Sequence, residues 1–145
     1  MSADTADATD AEETPVATIT TAGDPIRSFA KLFDPLIDEC KLHIDADGLH
    51  VRAVDVPNVA MIVVDAPAEG FEDYDAPEEE IVVGLNLERF RSVIEFARKG
   101  RGSSEGDPVT IEIFQSPTRI RVTVERADTG LERQTTWFEI DPDAI

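Results

Sequence analysis

Residues 40–54 read C-K-L-H-I-D-A-D-G-L-H-V-R-A-V, and this stretch decides the fold. Cys40–Ala46 and Leu49–Val54 are β-prone runs on either side of Asp47-Gly48, a dipeptide suited to a tight hairpin turn with positive φ. Downstream, Asp55-Val56-Pro57 breaks the pattern and Asn58–Ala66 resumes it as a third strand. Residues 67–79 are rich in Pro, Gly and acid and read as loop, and Glu80–Leu85 reads as another strand. Upstream, Val16–Ala22 alternates as a short strand. Gly23-Asp24-Pro25 then gives a helix start, with Asp24 as N-cap and Pro25 at the first helical position.

Ile26, Phe29, Ala30, Phe33 and Ile37 recur at helical spacing, and Pro35 ends or kinks that helix. A second helix begins near Asn86, with Leu87, Phe90, Val93, Ile94 and Ala97 on one face and Gly100 past its last turn. Pro108–Gln115, Thr118–Glu125 and Leu131–Ile140 follow as three strands joined by hairpin-length connections. The predicted fold class is α+β, two helices packed on a mostly antiparallel sheet.

The chain of 145 residues has room for one ordinary domain. Residues 1–14 hold almost nothing to bury and are expected to form a disordered acidic tail. They have neither the basic start nor the apolar run of a signal peptide, and no stretch reaches membrane-spanning length. Cys40 is the only cysteine, which excludes an internal disulfide and a cysteine metal cluster and fits a reducing cytoplasm.

With 31 acids against 13 bases the net charge is −18. A surface this acidic argues against nucleic acid, since phosphate binding needs cations. Adaptation to molar salt is the competing reading, because there the Debye length falls to roughly 3 Å and self-repulsion is screened. Acids spread along the chain, with only Lys31, Lys41 and Lys99 as lysines, favour salt adaptation.

No set of reactive groups for catalysis can be assembled, and no Walker loop, dinucleotide-binding fingerprint or nucleophile elbow is present. His43 and His50 fall on adjacent strands of the hairpin, where half-buried or surface histidines are the plain reading and a metal site the minor one. No catalytic residue, metal or cofactor is expected.

Charge is unevenly spread. Segments 24–39 and 86–101 hold seven bases and six acids, a balance of +1, which leaves −19 for the remainder. Arg27, Lys31 and Asp34 form one stripe on the first helix, and Glu88, Arg91, Glu95 and Arg98 another on the second. Solvated i,i+4 ion pairs or a weakly cationic surface for an anionic backbone both account for these stripes.

From Val16 to Asp141 the sequence resembles the N-terminal domain of proliferating cell nuclear antigen (PCNA), the sliding clamp of archaea and eukaryotes. The match is carried by I-D-E-C-K-L-H-I (37–44), D-G-L-H-V-R-A-V-D (47–55), N-V-A-M (58–61), E-G-F-E-D-Y (69–74), G-L-N-L (84–87) and I-D-P-D-A-I (140–145), with the same order of elements. With the acidic composition, it points to a halophilic archaeon.

The resemblance implies a single DNA-clamp domain over residues 15–141 and, at 142–145, a stub where an interdomain connector would begin. It implies helices on the inner wall of a ring, with Arg27, Lys31, Arg91, Arg98, Lys99 and Arg101 facing duplex DNA in non-specific contact. Ser28, Asp34, Ser92 and Glu95 stand where familiar clamps carry lysine, so that contact is expected to be weak. Val54, Asp55, Asn58 and Val59 match a pocket for peptides of polymerases, nucleases and ligases, of which the connector side is missing here. Leu131–Ile140, with Thr135 and Trp137, would pair with Asn58–Ala66 of the next subunit, with Val59, Met61 and Val63 on its edge and Trp137 or Phe138 as anchors.

The expected function is a non-enzymatic, cytoplasmic processivity factor that tethers replication or repair enzymes to DNA as a homo-oligomer. The alternative is a clamp paralogue that pairs with a full-length clamp subunit without encircling DNA.

Overall fold

Each half of the chain runs strand, helix, three-stranded meander, and lends its first strand to the sheet of the other half. The computed structural model describes residues 14–33, 37–54, 61–100, 102 and 104–145. The expected tail other than Thr14 therefore lies outside the described residues, as do Asp34, Pro35, Asp55, Asn58, Val59 and Arg101; of Val54 only the backbone is described.

The first half comprises β1 (Ala17–Ala22), α1 (Gly23–Lys31), β2 (Glu39–Asp45), β3 (Gly48–Val54) and β4 (Met61–Pro67). After a 3₁₀ turn at Ala68–Gly70 comes the short β5 (Asp73–Asp75). The second half comprises β6 (Ile81–Asn86), α2 (Leu87–Ile94), β7 (Pro108–Phe114), β8 (Arg119–Glu125) and β9 (Glu132–Phe138), with a last 3₁₀ turn at Pro142–Ala144. Strand order is β5-β1-β7-β8-β9 in one sheet and β4-β3-β2-β6 in the other, every pair antiparallel. The α+β class with two helices on antiparallel sheet is thus observed. No helix among the described residues is long and apolar enough to cross a membrane.

Helices of nine and eight residues are too short to be stable alone, so packing has to hold them. Ile26, Ala30 and Phe33 from α1 and its end, and Leu87, Phe90, Val93 and Ile94 from α2, are buried in one core with the inner faces of both sheets. Each large side chain so buried contributes about 1.5–3 kcal/mol, against ~1 kcal/mol for a good N-cap. Burial therefore forms α1 even though its start has no side-chain cap.

Several local expectations are corrected. Ala22, not Asp24, is the N-cap of α1, and Pro25 is its third residue. The Asp24 carboxylate is drawn away by the Gly100 amide, 3.2 Å from both its oxygens, and by the Arg27 guanidinium at 3.4 Å. The hairpin turn is Ala46-Asp47, since Asp45 already pairs with Gly48. Asp45 Oδ1 accepts from the Asp47 and Gly48 amides, which moves the turn one residue toward the N-terminus.

The expected loop at 67–79 contains β5, which pairs with β1 across Ile19 and Tyr74. A three-residue strand of two acids and a tyrosine has no pattern of its own and forms because β1 offers a free edge. α2 ends at Ile94, well before Gly100. Its start is as predicted, with Asn86 Oδ1 accepting from the Arg89 amide at 3.0 Å.

The chain's last residues tie the two sheets together. The Ile140 amide donates to the Gly84 carbonyl (2.9 Å), and the Gly84 amide to Glu139 Oε1 (3.1 Å). A Cβ at residue 84 would lie 1.8 Å from the Ile140 carbonyl oxygen. Gly84→Ala is expected to lower unfolding free energy by about 1–3 kcal/mol, read by urea denaturation at fixed high salt; an unchanged midpoint would contradict this close approach.

Candidate nucleic-acid interface

Because α1 leaves one sheet for the other and α2 makes the reverse crossing, the two helices lie side by side. Between them runs a groove of about 450 Å3. Ala30, Phe33 and Ile94 form its floor; Arg27, Lys31, Arg91, Lys99 and one acid, Glu95, form its rim. Four of the six bases expected to face DNA are thereby brought to one place. Arg101 lies outside the described residues, and Arg98 turns elsewhere.

These bases are not equivalent. The Arg27 side chain is only 14% exposed. Its Nη2 donates to the Ala97 carbonyl and, at 3.5 Å, to that of Ile94, while Nη1 reaches Asp24. It thus sits on carbonyls of the last residue of α2 and of the turn that follows, where a cation is favoured by the helix dipole. Arg91 Nη2 donates to the Ile37 carbonyl at 3.2 Å, which fixes the chain entering β2. Lys31 and Lys99 are exposed and make no ion pair among the described residues.

Arg98 belongs to a second cluster. Its guanidinium binds Asp128 and, through Nε, Asp107 at 3.4 Å. Asp107 is 4% exposed and accepts from the backbone amides of Arg98 (2.9 Å) and Ala127 (3.0 Å). Burial alone would raise the Asp107 carboxyl, but those two amides and the Arg98 guanidinium hold it below the ordinary carboxylate value. Arg126 Nε completes the knot by donating to the Phe96 carbonyl at 3.2 Å, its guanidinium 4.2 Å from the Phe96 ring centre. Asp24 and Asp107 between them fasten the segment after α2 to α1 and to the β8–β9 turn. In a chain with 31 acids no sequence signal separates these two from solvated ones.

The two strands expected to pair between subunits each lie at the edge of a sheet, β4 in one and β9 in the other. On β4, Ile62, Val64 and Ala66 pack on the core while Met61 (62% exposed) and Val63 (53%) face out. On β9, Thr135 and Trp137 point to the inner side, opposite Val122 and Ile120. Trp137 packs against the core, with its indole Nε1 buried and unbonded among the described residues. Phe138, 67% exposed, is therefore the outward aromatic of the pair, because strand alternation puts neighbours on opposite faces. Beside it, Arg119 and Arg121 cover the Phe114 ring, their guanidinium carbons 5.3 and 4.6 Å from its centre. Of the expected peptide pocket, Asp55, Asn58 and Val59 lie outside the described residues.

His43 and His50 are direct partners across β2 and β3. His43 Nδ1 lies 3.3 Å from Glu80, and His50 contacts Asp65 and Asp45. Among the described residues no group of three or more metal-ligating side chains is arranged around a common point. Cys40 is buried, and burial pushes its thiol up to about 12.

Two antiparallel sheets with two adjacent helices that gather cations into one groove define a DNA-clamp domain. The proliferating cell nuclear antigen N-terminal domain family matches residues 26–135, and the chain belongs to that family. The DNA polymerase sliding clamp of Halobacterium salinarum is 34% identical over 110 residues, 76% of this chain and 39% of that protein. The Haloarcula marismortui sliding clamp is 33% identical over the same proportions. Such archaeal, salt-adapted relatives agree with the acidic surface.

Among solved structures, A. fulgidus PCNA bound to the C-terminal region of FEN-1 superposes with a TM-score of 0.69 at 28% identity, covering 89% of this chain and 47% of that one. The PCNA2–PCNA3 complex from Sulfolobus tokodaii gives 0.71 at 27%, covering 85% and 46%. The chain spans about 39% of the length of the sliding clamps it matches.

Two outcomes follow from this geometry. Arg27→Met is expected to cost about 1–2 kcal/mol of unfolding free energy, and Lys31→Met less than about 0.5 kcal/mol, by denaturant titration; equal effects would remove the helix-capping role of Arg27. For Asp107 the folded carboxyl is the stronger acid, so its contribution is present above the unfolded value of 3.8 and lost as pH falls through the folded one. Asp107→Asn should lower stability at neutral pH and flatten its decline below about pH 4, which thermal melts from pH 2 to 7 would register.

Proposed function

We propose that this chain works as a DNA sliding-clamp domain, a non-enzymatic tether that holds replication or repair proteins on duplex DNA. The observation that carries this reading is the groove between the helices. In a chain of net charge −18, Lys31, Arg91 and Lys99 meet there with Arg27 behind them. Contacts of this kind are to phosphate and independent of sequence, as sliding requires. With Arg27 committed to α2 and Arg98 to Asp107 and Asp128, Lys31 and Lys99 carry most of the contact, and the affinity is low.

Ring closure would use the two sheet edges, β9 of one copy against β4 of the next. Among the described residues Met61, Val63 and Phe138 are three of the six exposed large apolar side chains, and all three stand on the outer faces of those edges. Head-to-tail pairing of this type closes when the rotation per copy fits, here as six domains. Polymerase, nuclease or ligase peptides are the proposed clients, since one similar clamp carries a nuclease tail. A second reading, pairing with a full-length clamp subunit, is favoured by the same edges and by the Sulfolobus tokodaii complex of two different clamp chains.

Light scattering in about 2 M KCl should give a mass well above one chain, and Phe138→Ser or Met61→Ser should reduce it. A strictly monomeric chain would sink the ring. Anisotropy with a 30-base-pair duplex should weaken by roughly five- to twentyfold in Lys31→Glu/Lys99→Glu, with the salt slope reduced by about two. An unchanged affinity would remove DNA from the groove. If the chain alone stays monomeric but co-elutes with a full-length clamp, the second reading takes its place.

A further inference from the structure

The outer face of β2, β3 and β4 carries His43, His50 and Asp65 in one row, each the direct cross-strand partner of the next. His50 is held from both sides. Its Nδ1 lies 2.8 Å from Asp65 Oδ1 on β4, and its Nε2 lies 3.3 Å from Asp45 Oδ1 at the end of β2. Asp45 cannot easily turn away, because the same oxygen accepts from the Asp47 and Gly48 amides of the hairpin turn.

A carboxylate oxygen only accepts, and a neutral imidazole has one N–H and one lone pair. Two carboxylates on the two ring nitrogens are both satisfied only by the imidazolium. In neutral His50 one of the acids must face a lone pair, which breaks that bond and leaves like-signed density in contact.

We propose that His50 is a proton-operated clasp that fastens the edge strand β4 to the β2–β3 hairpin when it is charged and loosens it when neutral. The charged and titratable groups around it are few. Arg52 follows two residues on along the same strand and lines the same surface. His43 lies across β2 but is engaged by Glu80, which offsets it. Asp65 and Asp45 both favour the cation, and the Tyr74 hydroxyl donates to the Asp45 carbonyl at 2.6 Å without adding charge. The hydrogen bond to Asp65 is the main cause of a raised His50 value, which burial only partly opposes.

The direction in pH follows. A raised folded value means that the clasp's contribution is complete below the unfolded value near 6.5 and lost as pH rises through the folded one. Asp45, lowered by the turn amides and His50 against the opposing effect of burial, contributes above 3.8 and is lost only as pH falls through its folded value. The clasp is therefore closed in mildly acidic solution and opens toward alkaline pH. Because β4 presents Met61 and Val63, a strand added at that edge meets a fixed template only while the clasp is closed.

The inference concerns the single chain and needs neither DNA nor a second copy, so it can fail without touching the clamp reading. The test is an imidazole NMR titration of the full chain from pH 4.5 to 9, with His43 as internal comparison, and hydrogen exchange of the β4 amides at pH 5.5 and 8. The His50 midpoint should lie above 6.5 and fall in both Asp65→Asn and Asp45→Asn. Protection of β4, corrected for intrinsic exchange, should drop roughly two- to fivefold between the two pH values, the scale of an exposed charged pair. In His50→Gln that drop should vanish while β2 exchange is unchanged. A His50 midpoint at or below 6.5, or the same β4 profile in His50→Gln as in the parent, overturns the proposal.

Discussion

The exchange of first strands between the two halves is the constraint on which the rest depends. β1 pairs with β7 and β6 with β2, so neither meander completes its sheet without the other half. Each helix is the link that carries the chain from one sheet to the other. Neither is long enough to persist alone, and both are held by burying one apolar face over the seam between the sheets. Adjacent helices, and with them the cationic groove, follow from this connectivity and from no motif.

Within that frame, charged residues do two kinds of work. Some acids act as acceptors for backbone amides that the turns and helix ends leave over: Asp24 for Gly100, Asp107 for Arg98 and Ala127, Asp45 for the hairpin turn. Each is tied to a particular place, most firmly the buried Asp107. Some bases are spent in the same way on carbonyls, as Arg27 is on the end of α2. What remains for an outside partner is the smaller set that folding does not use. A count of bases on the helices therefore overstates the cationic surface, because Arg27, Arg91 and Arg98 all have partners within the fold.

The edges follow a similar logic. Strand alternation on β4 and β9 gives one apolar row to the core and turns the other outward. Met61, Val63 and Phe138 remain exposed on these two edge strands. The C-terminal segment covers the edge of β6 at Gly84 but leaves β4 and β9 open.

The sequence by itself determined the element order, the apolar face of each helix, the strand alternation and the start of the second helix near Asn86, whereas the register that sets His43 opposite His50 came with the one-residue shift of the hairpin turn. The first four depend on residues near one another in the chain, where periodicity and turn chemistry carry the signal. It also marked the helices as the less acidic part of the molecule. Tertiary structure alone decided the rest. It moved Asp24 from a cap to the Gly100 amide, created β5 on a free strand edge, separated Lys99 from Arg98 although they are neighbours, and turned Trp137 inward and Phe138 outward. Each of these is set by a partner tens of residues away, and a carboxylate, a guanidinium or an edge strand looks the same in sequence whatever it will meet. The hairpin at 40–54 fixed the architecture, and only folding chose which of its charges were left over for function.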